Sequence, residues 1–133
     1  MKKISRYLSA LFILVCCAWQ PAYAGKPACS SSYGGYCYYD GYVSRIYVNA
    51  SGLILLYYDT LFDSEQSADV AGFSISSSGR HAAAVVISEN PEFAKLFYST
   101  ALSAQATKRK ISIQMRNTTS GYLKADRIWL AEE

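Results

Sequence analysis

The chain has 133 residues, thirteen of them Lys or Arg and ten of them acidic. Three of the bases, Lys2, Lys3 and Arg6, precede a short apolar run from Leu8 to Ala18, and setting that stretch aside leaves ten bases against ten acids. A near-neutral chain has no electrostatic reason to seek nucleic acid or an anionic membrane surface, and the 109 residues from Gly25 onward suffice for one domain with a modest core.

Residues 1–24 have the layout of a bacterial export signal: the basic start, the apolar run, and Ala22-Tyr23-Ala24 as a small-x-small cleavage site. The apolar run falls well short of the ~20 residues that span a bilayer. Val15 before Cys16 is not the small residue that lipoprotein processing uses. The expectation is cleavage after Ala24, a secreted or periplasmic protein with no membrane insertion, and a single domain over residues 25–133. Only Cys29 and Cys37 survive that cleavage, and an even pair in an exported chain reads as a disulfide. It would close the short loop SSSYGGY, worth about 2 kcal/mol in the chain-entropy model.

From Gly25 to Tyr39 the chain looks loop-like. Gly41 to Val48 has the β-branched and aromatic content of a strand. Asn49-Ala50-Ser51-Gly52 signals a turn, and Leu53 to Tyr58 (LILLYY) forms a second strand, hairpin-paired with the first. Its unbroken apolar run predicts burial on both faces or a place in a barrel. Asp59 to Gln66 is polar and loop-like with room for one helical turn, Val70 to Ile75 is a weak strand, and Ala82 to Ser88 is a third convincing one. Asn90 then caps a helix running to Thr107, with Pro91 at its first position and Glu92 against its positive end. Phe93, Leu96, Phe97, Thr100, Ala101 and Ala104 recur along it at helical spacing. After the basic junction Lys108-Arg109-Lys110, Ile111, Ile113 and Met115 alternate with Ser112, Gln114 and Arg116 as a half-buried strand. Asn117 to Gly121 turns, and Ala125 to Ala131 is the last strand. The order strand, strand, strand, helix, strand, strand gives a mainly β fold with one α-helix. It is the element order of an oligonucleotide/oligosaccharide-binding (OB) five-stranded barrel, with the helix between strands 3 and 4.

Catalytic parts are sparse. His81 is the single histidine, it stands beside a turn, and no GxSxG nucleophile elbow exists. Asp63, Glu65 and Asp69 miss the calcium-loop spacing, and no His or Cys cluster suits another metal. No cofactor is expected, and the chain reads as non-enzymatic. The unusual residue is tyrosine, with eight of the twelve between Tyr33 and Tyr58. A tyrosine offers a flat apolar face and a hydroxyl at little entropic cost, which suits sugars and protein interfaces alike. High β propensity explains part of the enrichment.

In two stretches the chain resembles the B subunits of the subtilase-cytotoxin and pertussis-like toxin group. One stretch is Phe93, Leu96, Phe97, Tyr98, Ser99 and Thr100 ahead of Ile111-Ser112-Ile113; the other is Tyr39-Asp40-Gly41-Tyr42-Val43. The resemblance covers roughly Tyr38 to Met115. It implies an OB-fold binding module that forms a homopentamer, binds a host cell-surface glycan or glycoprotein, and partners a catalytic A subunit. That family's sugar-contacting serine falls at Asp40, whose carboxylate would repel a sialic acid. On this basis the binding residues are Tyr38, Tyr39, Asp40, Tyr42, Gln114 and Arg116. The other expectation is a periplasmic or secreted protein-interaction factor, an inhibitor or envelope-assembly partner, using the same tyrosines on a protein surface.

Overall fold

The structure, a computed structural model, describes residues 25–132. The expected export signal over residues 1–24 lies outside the described residues. Seven strands form one mixed sheet: β1 (Ala28–Ser30), β2 (Tyr36–Gly41), β3 (Val43–Val48), β4 (Leu53–Tyr58), β5 (Ala82–Val86), β6 (Ile111–Thr119) and β7 (Tyr122–Leu130). The single α-helix, α1 (Pro91–Thr107), follows β5. The spatial order is β1-β2-β6-β7-β5-β4-β3. All neighbours are antiparallel except β5 and β7, where Ala83 and Ala84 pair in parallel with Leu123 and Lys124.

This architecture corrects the expected five-stranded closed barrel. The sheet has seven strands and two ends, β1 and β3, and among the described residues no ladder joins them. The toxin B-subunit resemblance depended on the closed barrel. The OB fold, homopentamer and glycan-binding expectations that came with it fall for the same reason.

Two physical details explain the miscount. The segment Gly25 to Tyr39, expected as a loop, supplies β1 and most of β2, because Cys29 and Cys37 sit opposite one another in the ladder and their disulfide staples it. The expected first strand is also divided at Tyr42, since β2 and β3 belong to different parts of the sheet. Tyr39 packs beside that division. Its ring is fully buried and lies against the backbone of Gly41, where a Cβ would stand 2.5 Å from Cζ and 2.8 Å from Cε2. No residue larger than glycine fits there while the ring keeps its place.

A second helical segment, the seven-residue 3-10 helix Glu65–Ala71, spans the boundary between a stretch expected as loop with room for one helical turn and one expected as a weak strand. The Ser64 amide donates to Ser67 Oγ at 3.2 Å to open it, and Gly72 closes it in the left-handed conformation at φ 78°. The sequence pattern around it is too short for periodicity to register.

Other elements form as their residues dictate. Asn90 Oδ1 accepts the Phe93 amide at 3.0 Å and caps α1, and Pro91 follows at the position where a missing N–H costs nothing. The β3–β4 turn closes when the Gly52 amide donates to the Asn49 carbonyl at 3.1 Å and the Leu53 amide donates to Asn49 Oδ1 at 3.0 Å. Ser120 and Gly121, both at positive φ, form the two-residue turn between β6 and β7.

α1 packs Ala94, Phe97, Ala101 and Ala104 onto one side of the sheet, against a core that includes Tyr39, Leu56, Phe62, Ile111, Ile113, Met115 and Leu123. Complete burial of Phe97 alone contributes about 2–3 kcal/mol. The LILLYY run is apolar on both faces, as expected. Ile54, Leu56 and Tyr58 enter the main core, and Leu55 joins Ala82 and Ala84 in a second cluster flanked by Leu53, Tyr57 and Tyr122.

Candidate functional site

Alternation along β2 decides which of the expected site residues reach solvent. Cys37, Tyr39 and Gly41 are buried, whereas Tyr38 and Asp40 are exposed on the opposite face. On β6, Ile111, Ile113 and Met115 likewise point into the core. Ser112 and Gln114 therefore stand on the same side of the sheet as Tyr38 and Asp40, although Ser112 is itself buried and Gln114 half-buried. The ladder registers carry this face across three strands in two rows: Tyr38 opposite Gln114 opposite Arg127, and Asp40 opposite Ser112 opposite Trp129.

The face is aromatic and charged together. Tyr38 is 41% exposed and Trp129 49%. The half-buried Tyr36 stands two residues before Tyr38, with the ring centroids 6.3 Å apart. Arg116 donates from Nη1 to the Tyr33 carbonyl at 3.2 Å, tying β6 to the turn that precedes β2. Its Nε lies 3.8 Å from Asp126 Oδ2, and Arg127 Nε lies 3.4 Å from the same oxygen. These pairs are solvent-exposed and contribute little to stability. What they do is hold two guanidinium groups beside one carboxylate at the edge of the aromatic patch.

Four expected site residues, Tyr38, Asp40, Gln114 and Arg116, thus lie on β2 and β6, with the first three in the two registered rows. Two do not join them. Tyr39 faces the other way, into the core, where its hydroxyl accepts the Asp59 amide at 3.1 Å. The single proton of that hydroxyl has two acceptors, the Asp59 carboxylate and the Tyr42 carbonyl at 2.7 Å. Burial, reinforced by that carboxylate, raises the Tyr39 phenol far above the usual tyrosine range. Tyr58, whose ring centroid is 4.6 Å away, is raised chiefly by burial. Tyr42 is half-buried at the β2–β3 break, with Lys110 Nζ 5.8 Å from its ring centroid. It lines a separate polar cavity of about 310 Å³ with Lys108 and Lys110.

Sequence reasoning missed Trp129, Arg127 and Tyr36. Trp129 and Arg127 alternate with Ile128 within the expected last strand, the one local sign of an outward face, but only the β6–β7 register places them beside Gln114 and Ser112.

No family model, curated protein or solved structure significantly matches this chain.

Other chemistry is thin among the described residues. His81 is exposed, and its imidazole takes part in no hydrogen bond or ion pair. No group of three His, Cys, Asp or Glu is placed to hold a metal ion. The phenols with raised pKa stay within the core, remote in orientation from the aromatic face.

Proposed function

We propose that this chain is a non-enzymatic protein-interaction factor, exported to the periplasm or beyond, which binds a partner protein through the outward face of β2, β6 and β7. The observation that carries this is the pair of registered rows, Tyr38–Gln114–Arg127 and Asp40–Ser112–Trp129. Tyr, Trp and Arg are the residues most enriched at the energetic centres of protein interfaces. Here all three types lie on strands of one sheet, so little backbone freedom remains to be lost on binding. Asp40 and Asp126 balance Arg116 and Arg127, which favours a partner of mixed charge over a polyanion. Export rests on the layout of residues 1–24.

Photo-crosslinking tests the proposal. Benzoylphenylalanine at position 38 or 129, in cells of the producing organism, is expected to trap the same protein, and at the exposed Leu96 on α1 to trap none. With that partner purified, Trp129→Ala is expected to weaken binding by at least ~2 kcal/mol, about thirtyfold in Kd. A half-exposed side chain of this kind should leave stability within about 0.5 kcal/mol. Unchanged affinity in Trp129→Ala would reject the face as the binding surface.

A further inference from the structure

A groove of about 400 Å³ lies between α1 and the β3–β4 hairpin, apart from the aromatic face. Val48, Ile54, Ile87 and Ala94 give it an apolar lining, and Lys95 and Tyr98 stand along it on successive turns of α1. It exists because α1 presents an alanine at position 94, 2% exposed, where a larger side chain would fill the space. Val48 remains 48% exposed and Tyr98 39%, so the apolar lining is open to solvent.

Lys95 is the one charged residue of the lining, and among the described residues it takes part in no ion pair or hydrogen bond. Two other lysines are paired, Lys26 with Asp63 at 2.8 Å and Lys124 with Glu89. Among the described residues the Tyr98 hydroxyl likewise takes part in no hydrogen bond. A cavity of this size with a carbon lining and few polar groups is in the range that holds small ligands. Its side chains offer one cation and one hydroxyl, enough for a single anionic head. Those two side-chain groups alone do not satisfy a run of peptide amides.

From this we infer that the groove binds a single-chain amphiphile with an anionic head, of the medium-chain carboxylate class. The alkyl chain would lie on Val48, Ile54, Ile87 and Ala94, with the carboxylate at Lys95 and the Tyr98 hydroxyl donating to it. The inference stands independently of the protein-binding face.

Decanoate and 1-decanol, each below its aggregation concentration, are the probes, titrated into the isotopically labelled, disulfide-intact protein at neutral pH. Amide shifts at Val48, Ile87, Ala94 and Lys95 are expected to saturate with both. Decanoate should bind about fivefold tighter, the upper range for an exposed ion pair. Lys95→Met should abolish that preference and retain decanol binding. Val48→Arg, at an exposed position that keeps the fold intact, should abolish both. No saturable shift at these residues overturns the inference. So does equal affinity for acid and alcohol in the unsubstituted protein, or a groove whose amide shifts change with protein concentration alone because a second copy fills it.

Discussion

Replacing Tyr39 by Phe keeps the ring and removes one oxygen, so the packing against Gly41 and Tyr58 survives while a hydrogen-bond junction is lost. That oxygen accepts the Asp59 amide and offers its proton to the Asp59 carboxylate and the Tyr42 carbonyl. It therefore ties the β2–β3 break to the end of β4. A hydrogen bond to a charged group is worth roughly 1.5–3 kcal/mol. Asp59 is exposed and can rehydrate, so ~2 kcal/mol is the expected net loss. For the 108 described residues, an unfolding entropy of ~2.1 cal/mol/K per residue gives ~0.23 kcal/mol/K and a fall in Tm of about 9 °C. Thermal and urea denaturation followed by circular dichroism measure both quantities. Asp59→Asn retains an acceptor oxygen and should cost about half as much, and the double variant should cost less than the sum of the two. A loss under ~0.5 kcal/mol for Tyr39→Phe, or strict additivity with Asp59→Asn, would refute the junction.

The remaining predictions concern the same core and the helix. Gly41→Ala should destabilise by more than ~2 kcal/mol, because the new Cβ meets ring carbons of Tyr39 and not a flexible tip. Adding Tyr39→Phe should not rescue it, since those carbons remain; recovery in the double variant would show that the hydroxyl alone sets the clash. Alkali should unfold the protein through Tyr39 and Tyr58. Both phenols are raised in the folded state, so their contribution is complete below the unfolded value near 10 and is lost as pH climbs above it. Each adds up to ~1.4 kcal/mol of lost stability per pH unit there. Urea midpoints from pH 9 to 11 should thus fall less steeply in Tyr58→Phe than in the parent, and equal slopes would contradict the assignment. Asn90→Ala removes the α1 cap and should cost about 1 kcal/mol, with faster amide exchange at Phe93; unchanged exchange there would mean the cap is dispensable.

Local chemistry determined a good deal of this protein. Asn90-Pro91 positioned the start of α1, the Asn49 to Gly52 turn joined β3 to β4, and the continuous apolar run of β4 foretold burial on both faces. The Cys29–Cys37 pairing followed from their being the two cysteines after the expected cleavage point. In each case the deciding interactions lie within a few residues or depend on composition alone. Tertiary structure decided the rest. The break at Tyr42 comes with a ring at 39 lying against the backbone at 41, a packing arrangement that no periodicity encodes. β1 is three residues long and exists because a cross-strand disulfide holds it to β2. The seven-stranded order follows from which edges meet, and strand counting from sequence had no access to it. The candidate site shares that dependence. Gln114 was visible as an outward residue of its strand and Tyr38 only as one tyrosine of an expected loop, and Trp129 and Arg127 joined them only through the β6–β7 register. That register is a long-range pairing, and it turned two separate alternating strands into one surface.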